Sequence, residues 1–247
     1  ADGEPEGAGE TGQVLCLITP GGERTFAYRS GASAALRPAQ LREALGAWLA
    51  AGGGTGLALA YFDVYTFLCP GALPEDGMRE ARALGAQCGL NLGSPGAVEA
   101  HRGRLWRLLE GGLCDVVMMN EAEARALDPG AGGAGVPWSP EEACRAASAL
   151  CELAVVTLGS GGVWVARGRG AEPRLHPVQP AEPAKVVDST GAGDFFAGGF
   201  LGAWLRGLPE EECVRWGSAA AVAVLSAFGT DLGRAGWEAL RAECMAT

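Results

Sequence analysis

The sequence is poor in lysine and histidine, two residues on which several enzyme classes depend. Lys185 is the only lysine, the other eighteen basic residues being arginines, and the only two histidines are His101 and His176. A phosphate-binding P-loop needs a lysine directly after a glycine-rich turn. Lys185 does not follow such a turn, so the P-loop classes are excluded. With two histidines we expect neither a cysteine–histidine zinc site nor a catalytic triad built on histidine.

Long apolar runs and an excess of positive charge are also missing. No uninterrupted apolar run reaches the length that crosses a bilayer, and the net charge of −10 gives a field that repels nucleic acid and anionic membranes. We therefore expect no membrane and no nucleic acid among the partners. The 247 residues, 48% of them hydrophobic, are enough for one large domain with a proper core.

The eight cysteines form no C-x-x-C pair and stand mostly among apolar neighbours. This scatter is typical of buried free thiols in a reducing compartment. It predicts an intracellular protein, in the cytosol or an organelle lumen, rather than a secreted one.

The first part of the chain predicts a leader and a hairpin. Residues 1–12 are acidic and glycine-rich without apolar periodicity, which is typical of a flexible leader. Two apolar segments, Val14–Thr19 and Arg24–Arg29, flank four turn residues and predict a β-hairpin. A helix is expected to begin at Pro38.

From residue 56 onward short apolar strands alternate with amphipathic helices. This order predicts an α/β fold with a parallel sheet covered on both faces, in one domain over residues 13–247. A second hairpin is expected over Gly162–Val178. The predicted strands are Gly56–Phe62, Leu90–Leu92, Cys114–Met119 and Ala154–Leu158, and the predicted helices are Pro74–Cys88, Val98–Leu109, Glu121–Leu127, Pro140–Cys151, Gly191–Arg206, Pro209–Phe228 and Arg234–Met245.

The strongest motif is the heptad Asp188–Asp194, DSTGAGD, which precedes an apolar helix rich in small residues. Gly191, Ala192 and Gly193 would leave backbone N–H groups pointing into open space at the positive end of the helix dipole. Such an anion hole suits the charge on a transferring phosphoryl group, and Asp194 beside it can accept a proton. The alternative is an ordinary capped helix in which Asp194 only complements the dipole.

A second motif, Asn120-Glu121-Ala122-Glu123, follows the strand CDVVMM. A carboxylate and an amide on one helical turn, at the carboxyl end of a strand, suit Mg²⁺ binding through water. Taken alone, the same pattern is also typical of a capped helix.

Two glycine-rich or small-residue segments follow later, Thr157–Gly162 and Gly217–Ala221, the latter leading to Gly229. Each has a purely structural interpretation, a tight turn or close helix packing. Two G-x-G-x-x-G matches, at residues 7–12 and 130–135, neither follow a strand nor open a helix, and we interpret them as loops.

Together these segments resemble the ribokinase, or PfkB-type, family of sugar and nucleoside kinases, whose catalytic signature the heptad matches. The segment GERTFAYRSGAS at residues 22–33 looks closest to the adenosine-kinase-like branch. The resemblance implies a Rossmann-like three-layer α/β/α sandwich with a β-hairpin lid remnant at about residues 14–29.

The resemblance also implies roles for individual residues, with ATP and Mg²⁺ as cofactors. Asp194 would be the base, and Gly191, Ala192 and Gly193 would form the anion hole. Asn120 and Glu123 would contact Mg²⁺ and the phosphates, and Thr157, Gly159 and Gly162 would contact phosphate or ribose. Ala220 and Gly229 would line the adenine slot, and Glu123, Asp188 and Thr190 would hold metal ions, including a monovalent cation such as K⁺.

The implied function is transfer of the γ-phosphoryl group of ATP to a hydroxyl of a ribose-like sugar or an adenosine-like nucleoside. Family members normally carry an upstream segment that grips the sugar hydroxyls. We therefore expect this chain to bind ATP with Mg²⁺ but to phosphorylate free acceptors poorly. An exposed lid edge would invite a homodimer or a larger assembly. The alternatives are a catalytically weak or inactive structural subunit of a complex and a sensor that retains only nucleotide binding.

Overall fold

The computed structural model describes residues 9–18, 24–51, 56–69, 71–130, 136–179, 181–182 and 186–246. The chain divides into two compact units, Ala1–Cys88 and Gly89–Thr247. Most of the predicted leader, the turn of the first hairpin and Lys185 lie outside the described residues.

The first unit contains the predicted hairpin and two helices. The hairpin strands are antiparallel, with Val14 opposite Tyr28, which confirms the predicted pairing. The elements of this unit are β1 (Gln13–Ile18), β2 (Arg24–Arg29), a 3₁₀ helix (Gly31–Ala35), α1 (Pro38–Ala50), β3 (Leu59–Asp63), a second 3₁₀ helix (Val64–Leu68) and α2 (Leu73–Ala83).

Helix α2 is shorter than the sequence predicts. The expected helix Pro74–Cys88 ends at Ala83, because Gly85 adopts a left-handed φ of 84° and Gln87 begins the strand β4 (Gln87–Asn91). The amide of Gln87 donates to the carbonyl of Ala58, 3.0 Å away, and so begins a ladder instead of another helical turn.

The sheet of the second unit is parallel at one side and antiparallel at the other. From Gly89 onward β4 pairs with β5 (Val116–Asn120) in parallel, and β5 pairs in parallel with β6 (Leu153–Thr157). The hairpin strands β7 (Val163–Arg167) and β8 (Arg174–His176) add to β6 antiparallel. The first four residues of β5 and of β6 are buried, as expected for strands covered on both faces. The predicted α/β class is confirmed.

Two helices of the second unit begin at serine side-chain caps, and the first of the two begins at Pro95 rather than at the predicted Val98. Ser94 accepts a hydrogen bond from the amide of Ala97, and Ser139 forms a capping box with Glu142. These helices are α3 (Pro95–Glu110), α4 (Glu121–Leu127), α5 (Pro140–Ser148), α6 (Ala192–Trp204), α7 (Glu210–Leu225) and α8 (Gly233–Met245).

Helices α6 and α7 pack closely because glycine faces backbone or ring at their crossing. A Cβ at Gly199 would lie 2.5 Å from the carbonyl oxygen of Trp216. A Cβ at Gly217 would lie 2.9 Å from the ring of Phe196. This close approach fixes the axis of α6 and therefore the place where its first turn begins.

The cysteines confirm the prediction of buried free thiols at six of eight positions. None of the eight, all within the described residues, is in a disulfide, and all but Cys16 and Cys69 are buried. Burial raises the pKa of Cys144 to about 12 and that of Cys213 to about 11. Within the described ranges, no helix combines the length and the apolar character that crossing a membrane requires.

Candidate active site

Polar side chains collect where three parallel strands end. Asn91, Asn120 and Thr157 are the last residues of β4, β5 and β6. In the parallel register Asn120 lies beside Thr157, and Asn91 beside Met118. The three polar residues therefore share one edge of the sheet, where ligands bind in open α/β folds. Asn120 and Thr157 belong to the predicted motifs, whereas Asn91 does not, although it too ends an apolar strand.

The predicted pair Asn120 and Glu123 forms a closed capping box at the start of α4. The Glu123 carboxylate accepts from the Asn120 amide N–H at 2.9 Å and from Asn120 Nδ2 at 2.7 Å, while Asn120 Oδ1 accepts from the Glu123 amide at 3.0 Å. The capped-helix interpretation is thus correct as local structure.

The Glu123 carboxyl differs from most caps because it is buried, with 3% of the residue exposed. Burial raises its pKa, and the negative charge of Asp194 raises it further, against the hydrogen bonds from Asn120. The motif and the heptad therefore bring two carboxylates close enough to repel each other.

Asp188 ties the heptad to the loop after α7. Its Oδ1 accepts from the amide of Thr190 at 2.9 Å and from Thr190 Oγ1 at 2.8 Å. Its Oδ2 accepts from the amide of Gly229 at 3.1 Å. The Asp188 carboxylate thus shapes both segments.

The two glycines of the heptad have different surroundings. Gly191 is the N-cap of α6 with a left-handed φ of 78°, and a Cβ there would lie 2.7 Å from the Thr230 methyl group. A Cβ at Gly193 would meet nothing within 4 Å. The first-turn amides of a helix have no partner within it and lie at its positive end. This turn can therefore receive an anion at Ala192 and Gly193.

A cavity of about 370 Å³ lies beside this turn. Four predicted residues line it: Thr157, Gly159, Ala192 and Gly193. The rest of the lining is largely apolar and comes from α7, from α6 and from β7 and the segment after β8. These residues are Ser160, Val163, Val178, Gln179, Ala181, Phe196, Ser218, Ala221, Val222 and Leu225.

Five predicted nucleotide residues do not line this cavity: Asn120 and Glu123, described above, and Gly162, Ala220 and Gly229. Ala220 is buried in a cluster with Leu240 and Cys244, on the face of α7 that packs against α8. Gly162 has a φ of 109°, and a Cβ there would lie 2.6 Å from the carbonyl oxygen of His176, so it serves the turn into β7. Gly229 bonds Asp188, as described above.

Asp194 stands in the first turn of α6 and is exposed. The Asn91 side-chain nitrogen lies 3.5 Å from its Oδ1. In the part of the chain that the structure describes, no three His, Cys, Asp or Glu side chains converge as a metal-binding group. One carboxylate, that of Glu123, is enough for a Mg²⁺ ion held largely by water and phosphate.

Comparison with known families and curated proteins identifies the chain as a kinase relative. The family model described as pfkB family carbohydrate kinase matches residues 5–235. Cytidine kinase of Thermococcus kodakarensis is 47% identical over 78 residues, which are 32% of this chain and 27% of that protein. Adenosine kinase 1 of Arabidopsis thaliana is 33% identical over 125 residues, 47% of this chain and 34% of that protein. These matches span about a quarter to a third of the curated relatives.

Solved structures show the same fold. The adenosine kinase from Sinorhizobium meliloti has a TM-score of 0.77 and 29% identity, covering 94% of this chain and 66% of that one. The Arabidopsis thaliana ribokinase complexed with ribose and ATP has a TM-score of 0.65, covering 96% and 70%. Its 20% identity shows the fold alone. The predicted ribokinase-type fold is therefore confirmed, and the chain belongs to the PfkB family of carbohydrate kinases.

Proposed function

We propose that this chain binds ATP with Mg²⁺ and transfers the γ-phosphoryl group to a hydroxyl of a sugar or nucleoside. The proposal rests mainly on the cavity that joins the sheet edge at Thr157 to the open first turn of α6 at Gly193. Family membership supports it, because the named relatives include cytidine kinase, adenosine kinase and ribokinase.

The cavity fits a nucleotide in both of its parts. Its apolar wall on α7, formed by Ala221, Val222 and Leu225, suits a planar base. The amides of Ala192 and Gly193 lie at the other part, where the helix dipole favours phosphate. Because nothing fills the space that a Gly193 side chain would occupy, a phosphate group can approach the backbone there.

Glu123 and Asn120 fit a Mg²⁺ ion held through water. Burial and the negative charge of Asp194 raise the pKa of the Glu123 carboxyl. A divalent cation near both negative charges would stabilise the ionised form of this carboxyl. When bound, Mg²⁺ would neutralise charge on the phosphates. The assignment of a monovalent cation to Asp188 and Thr190 stays a prediction, and replacing K⁺ by Na⁺ in the assay tests it.

Asp194 acts as the base in this proposal. It accepts the proton of the acceptor hydroxyl as that oxygen attacks the γ-phosphorus, and it is exposed and adjacent to Gly193, so a hydroxyl can reach it. The amides of Ala192 and Gly193 stabilise the negative charge that develops. We propose a ribose-like sugar or an adenosine-like nucleoside as the acceptor.

The second candidate is a structural subunit with weak or no catalysis. It is favoured by the β1–β2 hairpin, whose Val14, Leu15, Leu17 and Tyr28 are each more than half exposed. Such a surface invites a second copy or another protein. Light scattering of the purified chain, with and without Leu15→Glu, tests for association through the hairpin.

The experiment is calorimetry with ATP and Mg²⁺, together with a coupled assay on ribose, fructose, adenosine and cytidine. Ala221→Phe, which fills the cavity, is expected to weaken ATP binding about tenfold or more, a change of about 1.4 kcal/mol. Ala239→Phe, on an exposed position of α8, is the matched control and should bind ATP normally. Absence of ATP binding, or equal binding by both variants, would reject the proposed site.

A further inference from the structure

Asn91 is a polar residue at the sheet edge to which none of the sequence motifs assigns a role. It ends β4 after the buried residues Cys88, Gly89 and Leu90, and is itself half-buried. Its backbone pairs with β5 beside Met118, and the next amide, that of Leu92, donates to the carbonyl of Met118 at 3.1 Å. Asn91 therefore projects from a rigid part of the sheet rather than from a loop.

The side chain of Asp194, in contrast, is poorly fixed by its own helix. It is exposed, and its neighbour Gly193 has no side chain to pack against it. The negative charge of Glu123 is close enough that the two carboxylates repel, as the raised pKa of Glu123 records after the larger effect of burial. A donor from outside the helix can hold one orientation of the Asp194 carboxylate.

The Asn91 side chain supplies such a donor. Its Nδ2 lies 3.5 Å from Asp194 Oδ1, at the outer limit of a hydrogen bond. The amide is neutral at every working pH, so it can orient the carboxylate without forming the ion pair that a lysine or arginine would form.

We propose that Asn91 is a positioning residue that holds Asp194 in the orientation from which it accepts the proton of the acceptor. This inference rests on the proposed phosphotransfer. Two further carboxylates stand near the same turn. Glu123 is bonded by Asn120, and Asp188 is bonded by Thr190 and Gly229. Asn91 is thus the neutral donor that the described contacts place at Asp194.

The kinetic test compares Asn91→Ala and Asn91→Asp with wild type. A misplaced base costs about 10- to 100-fold in rate, so kcat should fall by that factor while KM for ATP changes less than about twofold. Asn91→Asp, which keeps the shape but replaces the donor by a third carboxylate, should be at least as impaired as Asn91→Ala. Gln87→Ala, at the other end of β4, is the matched control and should keep wild-type kcat.

A second measurement tests the contact without activity. The chain has only two asparagines, Asn91 and Asn120, so the side-chain ¹⁵N amide signal of Asn91 is identified by its loss in Asn91→Asp. In Asp194→Asn that signal should shift, while the signals of the glutamine side chains stay in place.

The outcomes separate the two proposals. Wild-type protein without turnover on any acceptor rejects the phosphotransfer, and the amide signal then decides alone whether Asn91 holds Asp194. If wild type is active, a kcat for Asn91→Ala within about twofold of wild type overturns the positioning role. An Asn91 signal that does not shift in Asp194→Asn overturns the positioning role in either case.

Discussion

Two helices begin at the same edge of the sheet with a carboxylate in the first turn, and they use it differently. At the start of α4, Glu123 is buried and both of its oxygens accept hydrogen bonds from Asn120. At the start of α6, Asp194 is exposed beside Gly193, where a side chain would meet open space. One helix start is closed by its own side chains, and the other is open to a ligand.

The difference shows that similar local patterns can serve either the stability of a helix start or the binding of a ligand. The box at Asn120 satisfies backbone donors of its helix start with its own side chains, so this helix start does not need a bound anion. At Gly193 no side chain fills the space in front of the turn, so a bound anion can approach the backbone there, while the Ala192 amide donates to the carbonyl of Ser189 at 3.4 Å. Four changes test this division.

The largest expected effect comes from Asp194→Asn. It removes the base at the open helix start, and kcat should fall by about 10²- to 10⁴-fold while ATP affinity stays within a few-fold. Turnover and calorimetry on the same preparation measure both. Retained activity would remove Asp194 from the mechanism.

Substitutions at the two glycines of the heptad should affect ATP binding and folding stability separately. Gly193→Val faces open space, so it should lower ATP affinity about tenfold or more with little change in melting temperature. Gly191→Ala meets the Thr230 methyl group and a left-handed φ, so it should cost about 1–2 kcal/mol of folding free energy. Thermal unfolding and ATP titration of both variants would contradict the division if stability and affinity fell together in each.

Asn120→Ala should destabilise the closed helix start by about 1–2 kcal/mol, since it removes the cap and the donors of a buried carboxylate. Ser139→Ala is the matched control, because Ser139 forms the same box on α5 with the exposed Glu142. Urea unfolding compares the two variants. An equal loss in both would mean that burial of Glu123 adds nothing to the cap.

The smallest expected effect is a pH dependence with opposite signs at the two boxes. The folded-state pKa of Glu123 is raised, so its protonated form is favoured, and wild type should lose stability relative to Glu123→Gln as the pH rises from about 4 toward 8. The pKa of Glu142 is lowered, chiefly by hydrogen bonds from Ser139, so its stabilisation should be lost as the pH falls below about 4. Unfolding free energies measured from pH 3 to 8 on Glu123→Gln and Glu142→Gln check both signs, and parallel curves would contradict the burial argument.

Features that depend on neighbouring residues could be predicted from the sequence. The capping residues, the apolar strands and the glycine turn before α6 all act within a few positions of themselves. The error at α2 has the same origin, because helical periodicity continued past Ala83 while Gly85 ended the helix. At the site, the heptad pattern predicted Ala192 and Gly193, the family resemblance implied Thr157 and Gly159, and all four line the cavity.

By itself, the sequence determined the family, the α/β order and the residues of the two helix starts, because each depends on residue types at short fixed spacings. Only the tertiary structure decided which face of α7 lines the cavity. Alanines lie on both faces of α7, and Ala220 is on the face that packs against α8. The meeting of Asn91 and Asp194, 103 residues apart, likewise depends on where β4 ends beside β5 and how closely α6 packs on α7. Contacts between segments so far apart follow from the packing of whole elements, which no local pattern specifies.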